Sequence, residues 1–272
     1  FPILKENWQP ISLENHNFLK IIERFINEKK LFRIEDIFSV RQGIRQGAKD
    51  IFKILDSDFI NLPEQEKKYF RPVVDNDAIE NGQLFLIKHI WYPYNESGIL
   101  LENEESVIEN TSTFYNSNLN PNRLILEKRA GINQWWALTR PRNWQYKKFP
   151  KLISTEFGKS GSFGFDSKGD FVVERGNAWI PKKEFTINDY YFYLAFFNST
   201  FFDNLLSIYS KQLAGGKWYD LGKKYTKNIP IPNVHMDEVK NSDGYQRLVD
   251  IGKELSEGNT YTKSIADNIL EK

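Results

Sequence analysis

The sequence predicts an α+β fold with a mixed, mainly antiparallel sheet at its centre and helices at its edges. Three observations support this prediction. Between residues 31 and 181, short apolar segments rich in β-branched and aromatic side chains alternate with long polar loops. Residues 15–30 and 186–210 instead place apolar side chains at helical spacing. With 272 residues and 15% aromatic side chains, the chain is able to bury a substantial core.

The first half of the chain is predicted to pass from a helix into strands. Residues 15–30 form an amphipathic pattern that Asn15 or Asn17 can cap, with an apolar face of Phe18, Ile21, Ile22, Phe25 and Ile26. Strands are predicted at 51–55, 83–94, 123–130 and 151–157. Residues 162–181 alternate on both sides of the turn Ser167-Lys168-Gly169-Asp170, which predicts a β-hairpin.

The second half returns to helical periodicity. A helix over 186–210, capped by Asn188, presents an apolar face of Tyr191, Leu194, Ala195, Phe197, Phe201, Leu205 and Ile208. A glycine- and lysine-rich loop and a proline-rich segment follow at 214–225 and 228–233. The polar end is predicted to be helical, with Leu248, Val249 and Leu255 on one side. We therefore predict a helical lead-in at 1–30, a central domain at 31–232 and a helical tail at 233–272.

Composition narrows the classes of protein that this sequence fits. There is no cysteine, which excludes disulfides and thiolate zinc sites and is consistent with a cytoplasmic protein. The longest apolar run, residues 190–202, is too short to span a membrane, so no membrane partner is expected. The first residue is Phe1 and not methionine, so we expect the chain to be part of a longer protein.

The net charge of +1 hides strong local asymmetry. Residues 95–110 carry five glutamates and no cation, whereas residues 123–151 carry eight lysines or arginines and one acid. Residues 207–228 carry five lysines and one acid, Asp220. Basic blocks interleaved with tryptophan and tyrosine suit a polyanion with stackable bases, although a solvated charged face has the same composition.

Tests for catalytic motifs are mostly negative. A Walker loop ending in Gly158-Lys159-Ser160 needs a glycine at position 153, which is isoleucine, and no GxGxxG follows a strand. The histidines at positions 16, 89 and 235 are scattered. Asp58, Glu66 and Lys68 have the spacing of a D…ExK nuclease motif, but the surrounding sequence favours a polar turn or helix. We therefore expect no catalytic centre, bound cofactor or metal site in this segment.

The order of several weak motifs is more specific than any one of them. Residues 40–54 resemble the opening block of target recognition domains in Eco57I- and TaqI-like adenine-N6 DNA methyltransferases, at Gly43, Ile44, Gly47, Phe52 and Ile54. Further blocks resemble the same family in the same order, at 71–94, 135–173, 190–202 and 227–232. The resemblance covers residues 31–232 and implies a TaqI-like C-terminal specificity domain of a methyltransferase or a fused type II restriction–modification enzyme.

The resemblance also implies partners. The domain is expected to bind double-stranded DNA and to confer sequence specificity without catalysing a reaction itself. The catalytic methyltransferase domain is expected N-terminal to Phe1 in the same polypeptide, with its Asn-Pro-Pro-aromatic motif and its S-adenosylmethionine loop. Arg45 and Gln46 stand where the family often has smaller or hydroxyl side chains, so the resemblance assigns them no base contact.

Three stretches supply the candidate DNA-binding residues, because lysine and arginine contact phosphates while arginine, glutamine and aromatic side chains read bases. The opening stretch, expected to position DNA, contributes Arg41, Gly43, Arg45, Gln46, Gly47 and Lys49. The central block and the strand after it contribute Arg129, Trp135, Trp136, Arg140, Arg142, Gln145, Lys147, Lys148 and Lys159, and the part expected to read bases is the loop 133–148. The glycine- and lysine-rich loop contributes Lys211, Gly215, Gly216, Lys217 and Tyr219.

Three alternatives remain open from the sequence. A specificity subunit of a multisubunit restriction system usually has two recognition domains and long heptad helices, and only one recognition pattern is visible. A carbohydrate-binding β module, suggested by seven tryptophans and thirteen tyrosines, predicts exposed coplanar aromatic rings. A nuclease would use Asp58, Glu66 and Lys68.

Overall fold

The computed structural model describes residues 13–75 and 77–259. Three short helical turns of other types lie at Tyr115–Leu119 (π), Asn120–Asn122 (3₁₀) and Asn143–Gln145 (3₁₀). The α-helices are α1 (Leu13–Asn27), α2 (Ile34–Ile37), α3 (Asp56–Ile60), α4 (Glu64–Lys67), α5 (Glu104–Asn110), α6 (Ser112–Phe114), α7 (Arg123–Glu127), α8 (Ile187–Phe197), α9 (Thr200–Tyr209), α10 (Lys223–Thr226), α11 (Asp237–Lys240) and α12 (Asp243–Glu257).

The strands of the described ranges are mostly short. They are β1 (Leu31–Arg33), β2 (Phe38–Gln42), β3 (Lys53–Leu55), β4 (Phe70–Val74), β5 (Ile79–Glu80), β6 (Gln83–Leu84), β7 (Lys88–Trp91), β8 (Tyr94–Asn95), β9 (Gly98–Ile99), β10 (Lys151–Ser154), β11 (Phe157–Gly158), β12 (Phe163–Asp166), β13 (Val172–Val173), β14 (Asn177–Pro181), β15 (Tyr219–Asp220) and β16 (Pro230–Pro232). Two four-stranded sheets hold the centre, in the orders β12-β10-β14-β2 and β13-β4-β7-β3. Two-stranded ladders join β1 to β16, β5 to β6, β8 to β9 and β11 to β15.

The first sheet, β12-β10-β14-β2, is antiparallel throughout and packs against the helices. Phe38 and Trp179 from its strands join Phe197 of α8 and Leu248 of α12 in one apolar core. The register places Ser154 opposite Asn177 and Asn177 opposite Gln42. Strands β10 and β2 therefore end at the same level, which we call the Gln42 end of the sheet.

The second sheet, β13-β4-β7-β3, is antiparallel except for the parallel pair β13–β4. Phe70 and Trp91 pack against Phe114 of α6 in a second apolar core, with ring centroids 4.9 and 5.1 Å from the Phe114 ring. A smaller cluster, which includes Ile153 of the first sheet and Val173 of the second, joins the two sheets. The predicted α+β class with mainly antiparallel sheets is confirmed.

One predicted strand is wrong. Residues 123–130 begin as helix α7, which buries Leu126 and exposes Leu124 and Ile125. A short apolar run does not by itself distinguish a strand from a helix, and leucine with glutamate and lysine favours the helix.

The predicted hairpin over 162–181 is also wrong. Strand β12 pairs with β10 in the first sheet, whereas β13 pairs with β4 in the second. The Asp166 carboxylate accepts the N–H groups of Asp170 and Phe171 and forms a buried ion pair with Lys151, with Nζ–Oδ2 2.5 Å. These contacts direct the chain from the first sheet to the second, whereas a hairpin would have returned it to the first sheet.

The helix predicted over 186–210 is two helices. Asn198 leaves the helical path, and its side chain accepts the N–H groups of Gly161 and Phe163. Ser199 then caps α9, and Thr186 caps α8 in place of the expected Asn188. The predicted apolar side of the tail is confirmed, because Leu248, Val249 and Leu255 are buried with α8.

The predicted cap of the first helix is wrong, because Asn15 and Asn17 lie inside helix α1, which is Leu13–Asn27, and not at its start. Parts of the predicted lead-in and tail, 1–12 and 260–272, lie outside the described residues.

Candidate nucleic-acid interface

The loop that follows β2 and the central basic block are joined by a backbone bridge. Arg45 and Arg140 are antiparallel partners that donate an N–H to each other's carbonyl oxygen, with both N···O distances 3.0 Å. Both side chains are exposed. Two of the predicted DNA-binding stretches therefore meet at one place.

Arg142 completes a cluster of three guanidinium groups. Its Nε donates to the carbonyl oxygen of Gly43 at 3.0 Å, and its Nη2 donates to the Gln42 side chain at 3.2 Å. Burial lowers the pKa of Arg142, and the positive charges of Arg140 and Arg45 lower it further. Like charges gathered in this way are stabilised by an anion. We call Arg45, Arg140 and Arg142 the arginine tip.

Two glycines explain why the backbone can form the tip. A Cβ atom on Gly43 would lie 2.5 Å from the carbonyl oxygens of Val173 and Glu174, so only glycine fits this close approach. Gly47 has a φ of +81°, and a Cβ there would lie 1.9 Å from Thr139 Oγ1. These predicted site residues therefore shape the loop and offer no side chain to a ligand.

Gln46, between them, is buried and holds the loop from beneath. Its Nε2 donates to the Glu174 carboxylate, and its carbonyl oxygen accepts from Arg129 Nη1 at 2.7 Å. Glu174 is itself paired with Lys53, whose Nζ lies 2.9 Å from Glu174 Oε2 and 2.7 Å from Asp75 Oδ2. Burial alone would lower the pKa of Lys53, but hydrogen bonds and charges from Asp75 and Glu174 outweigh it and raise that pKa.

Four members of the predicted central block have their polar atoms engaged inside the protein. Arg129 donates to the carbonyl oxygens of Leu126, Gln46 and Trp135. Trp135 and Trp136 are 9% and 6% exposed, and their indole N–H groups donate to Glu104 and to the Leu101 carbonyl. Gln145 is buried and bonds through both side-chain ends to the backbone of Val173. These four side chains hold the loop, and the burial of Trp135, Trp136 and Gln145 leaves them little surface for the base contacts expected of residues 133–148.

The remaining predicted cations lie on the surface. Arg41, Lys49, Lys147 and Lys159 are exposed. Arg41 Nε donates to Ser39 Oγ at 2.9 Å, and Lys148 pairs with Asp170 at 2.8 Å. An exposed lysine paired with one surface carboxylate gains little from it, so Lys148 remains available to a phosphate.

The glycine- and lysine-rich loop is a β-hairpin, Lys211–Asp220. Asp220 N donates to the Lys211 carbonyl and Leu213 N to the Trp218 carbonyl, each at 2.9 Å. The turn uses Gly215 and Gly216, with φ of +93° and +69°. Lys211 and Lys217 are exposed, whereas Tyr219 is half-buried and burial raises its pKa.

Sequence reasoning overlooked Trp218, whose exposed fraction is 45%. The sequence feature that could have indicated its exposure is an aromatic side chain directly after Lys217 in a glycine-rich turn.

The hairpin and the arginine tip lie beyond the same end of the first sheet. Gln42 ends β2 and leads directly to Gly43 and Arg45. Ser154, at the same level, ends β10 and leads to β11, which pairs with β15 of the hairpin. Both candidate stretches therefore belong to the Gln42 end.

An open pocket of about 230 Å³ lies beside the tip. Its lining includes apolar surface from Tyr94, Leu138 and Pro141 and the amide side chains of Asn133 and Gln134. Pro141 lies between Arg140 and Arg142, so the pocket and the tip share one segment of backbone.

Two of the three alternative nuclease residues, Glu66 and Lys68, are engaged elsewhere, and Asp58 is exposed. Glu66 is fully buried, and its carboxylate accepts the N–H groups of Thr113 and Phe114 at 2.9 and 3.1 Å. Lys68 lies over the ring of Tyr69, 4.9 Å from its centroid. Within residues 13–75 and 77–259, no group of three or more His, Asp or Glu side chains is arranged to hold a metal ion. In the same ranges no helix has the length and apolar character needed to cross a membrane.

The fold is similar to parts of two solved restriction–modification enzymes. One is the type IIL enzyme MmeI in complex with DNA, with a TM-score of 0.50 and 16% identity over 86% of this chain and 30% of that chain. The other is the type IIG restriction endonuclease BpuSI, with a TM-score of 0.53 and 14% identity over 86% of this chain and 28% of that chain. No protein-family model and no curated protein matches this sequence. The chain spans less than a third of either enzyme and shares the fold of that part.

Proposed function

We propose that the chain is the sequence-reading domain of an adenine-N6 DNA methyltransferase or a fused restriction–modification enzyme, and that it binds double-stranded DNA. The arginine tip carries this proposal. Three guanidinium groups converge at the Gln42 end, and none of them has an ion-pair partner among the described residues. Keeping three cations together without a carboxylate suits a surface that binds a polyanion.

The tip divides into positioning and reading contacts. Arg45, with Arg41 and Lys49 of the same exposed stretch, is assigned to phosphates, which fix the register of the protein on the duplex. Arg140 and the pocket beside it are assigned to base edges in the major groove. A guanidinium group suits guanine O6 and N7, and the amides of Asn133 and Gln134 suit adenine N6 and N7.

The chemistry of the proposed enzyme lies in another part of its polypeptide. We assign S-adenosylmethionine and the methyl transfer to a methyltransferase domain joined to this chain. Both structural neighbours are more than three times as long as the segment they share with it, which leaves room for such a domain. A methyltransferase must rotate its target base out of the duplex, and this domain would hold the flanking DNA while that occurs.

Titration of duplex DNA at two salt concentrations tests the proposal. A pool of random 30-mer duplexes, bound at about 50 and about 200 mM salt, is expected to show affinity that falls steeply with salt, because phosphate contacts release counterions. Selection from the pool is then expected to enrich one sequence. Absence of duplex binding, or binding that does not depend on salt, would contradict the proposal.

The structure disfavours the alternatives left open by the sequence. A carbohydrate-binding module needs exposed coplanar rings, but Trp91, Trp135, Trp136 and Trp179 are buried, and the exposed Trp218 lies in a lysine-rich hairpin, which such a module does not need. Specificity subunits use long heptad helices, whereas α1 and α12 of the described chain have 15 residues each.

A further inference from the structure

We propose that the Lys211–Asp220 hairpin is a second DNA-binding arm and that the indole of Trp218 stacks on an unstacked base of the bound duplex. This inference rests on the proposed function and adds the mode of contact. It assigns the aromatic tip of the arm to a nucleobase face and its lysines to the flanking phosphates.

The exposure of Trp218 is the first observation. Trp218 is 45% exposed, whereas Trp91, Trp135, Trp136 and Trp179 are each at most 9% exposed. Tryptophan contributes strongly to a core or an interface, so leaving one in water forgoes that free energy unless a partner covers it. Phe157, on the paired strand β11, is also exposed at 42%.

The second observation is that the strand ends of the arm are firmly attached to the domain, whereas its turn is open. Strand β15 pairs with β11, and Leu221 N donates to the Glu156 carbonyl at 3.1 Å. Ser210 Oγ donates to the Asp220 carbonyl at 2.6 Å. In the turn of the arm, nothing lies within 4 Å of a Cβ placed on Gly215. A partner can therefore approach the turn closely without displacing other parts of the protein.

Charge is the third observation. Lys211 and Lys217 lie on the arm and Lys159 follows the strand to which it is attached, and all three are exposed. Asp220 is half-buried and its carboxylate accepts the N–H of Gly222 at 2.8 Å. Glu156, on the loop before β11, is the exposed acid closest in sequence to this attachment. Lysines around an exposed indole fit phosphates around a base, because bases stack on aromatic rings while cations follow the backbone.

The position of the arm suits it to hold the duplex at a second place, apart from the arginine tip. The arm and the arginine tip both lie beyond the Gln42 end, reached from β10 and β2 respectively. A duplex gripped at both places is held on either side of a short stretch, where a side chain that enters the stack can unstack a step and bend the DNA.

The test uses the 272-residue chain and the duplex enriched by selection, with W218A, W218F and the control I187A. Ile187 is an exposed apolar residue at the start of α8, and Tyr190 of that helix donates to Pro150 O, which precedes β10 at the opposite end of the sheet. Affinity is measured by fluorescence anisotropy, and unstacked thymines are mapped by permanganate oxidation. Wild-type protein is expected to make one thymine position reactive. W218A is expected to lose that reactivity and about 10-fold in affinity, while W218F and I187A retain both.

Two results separate the inference from the proposed function. Salt-dependent duplex binding with equal affinity and equal thymine reactivity in wild type and W218A overturns the stacking contact and leaves the DNA-binding function intact. Failure of the wild-type protein to bind any duplex overturns the function itself. Thermal unfolding of W218A should match that of wild type, since the side chain is exposed. If W218A unfolds at a lower temperature, the comparison of DNA affinity rests on W218F, which keeps an aromatic ring. An equal loss of affinity in W218A and W218F overturns stacking.

Discussion

Arg45 and Arg140 face each other across an antiparallel bridge and exchange two main-chain hydrogen bonds of 3.0 Å. Side chains at directly opposed positions lie close together, and like charges placed there are destabilising. The lowered pKa of Arg142, caused by burial and then by its two arginine neighbours, shows the same repulsion. A fold that retains this repulsion at one exposed place has a surface suited to an anion, which is the physical basis of the proposed function.

Replacing Arg45 separates phosphate contact from folding. R45A is expected to weaken binding to all duplex sequences alike and to reduce the slope of log affinity against log salt by about 1, because one phosphate contact is lost. The free energy of unfolding should stay level or rise, since a like charge is removed. The matched control is R247A, which removes an exposed arginine from α12. Equal affinity of R45A and R247A would refute the phosphate contact.

Replacing Arg140 should affect sequence preference instead. R140A is expected to lower the ratio of specific to random affinity by about 10-fold, since one good bidentate base contact contributes about 1–3 kcal/mol. Selection from a random duplex pool, repeated with the variant, should relax one position of the enriched sequence. An unchanged enriched sequence with uniformly weaker binding would assign Arg140 to phosphate.

Gly47 and Gly131 provide a matched pair for testing how the tip is built. Their φ values, +81° and +74°, impose similar strain on alanine. A Cβ on Gly131 meets nothing within 4 Å, whereas one on Gly47 would lie 1.9 Å from Thr139 Oγ1. G131A should therefore lower the free energy of unfolding by about 1 kcal/mol, and G47A by at least about 2 kcal/mol. Urea denaturation checks the difference, and equal losses would mean that Thr139 moves freely.

The sequence predicted the fold class and the buried side of α12 because those depend on local periodicity, whereas Ile21 and Ile26 of the predicted apolar face of α1 are exposed. Gly43 and Gly47 were also recognisable, since close approach and positive φ restrict the residue type. The contact of Arg45 with Arg140 was not predictable, because it depends on how distant segments meet. The hairpin over 162–181 failed for the same reason: the partner of Asp166 is Lys151, and nothing in the local alternation shows that pair.

The sequence pattern also did not show which aromatic side chains are buried. Trp135 and Trp218 both stand in basic, aromatic stretches, yet the first is packed beneath Arg123 and the second is exposed. The difference arises because Glu104 of α5 and Arg123 of α7 contact Trp135, and both helices are anchored in the second core through Val107 and Leu126.

Removing Lys53 should show how much stability the buried network under the tip supplies. K53M would leave Glu174 without its ion-pair partner, whereas Asp75 keeps Lys88 at 3.5 Å, and breaking a buried pair by removing one partner costs about 3–5 kcal/mol. DNA affinity should also fall, because Glu174 holds Gln46 next to Arg45. K20M, at an exposed position of α1, is the control in urea denaturation. A loss no larger than that of K20M would show that the network contributes nothing measurable.

Asp189 should make the stability of the domain depend on pH. The carboxylate is buried and accepts from Tyr245 Oη at 2.7 Å, Thr186 Oγ1 at 2.7 Å and Lys240 Nζ at 2.9 Å, which ties α8 to α11 and α12. Burial would raise its pKa, but the hydrogen bonds from Tyr245, Thr186 and Lys240 outweigh burial and lower that pKa. A carboxyl whose pKa is lower in the folded state than in the unfolded state stabilises the protein above the unfolded value. That stabilisation is lost as the pH falls through the folded value.

D189N is therefore expected to lower the free energy of unfolding at pH 7 by about 2–3 kcal/mol, since hydrogen bonds to a charged group are lost. The difference between wild type and D189N should be constant from about pH 7 to pH 5 and should shrink below about pH 4, near the ordinary pKa of aspartate. D237N, at an exposed position of α11, is the control. Urea denaturation at four pH values measures all three proteins. A difference that persists unchanged at pH 3 would show that Asp189 acts through shape and not through its charge.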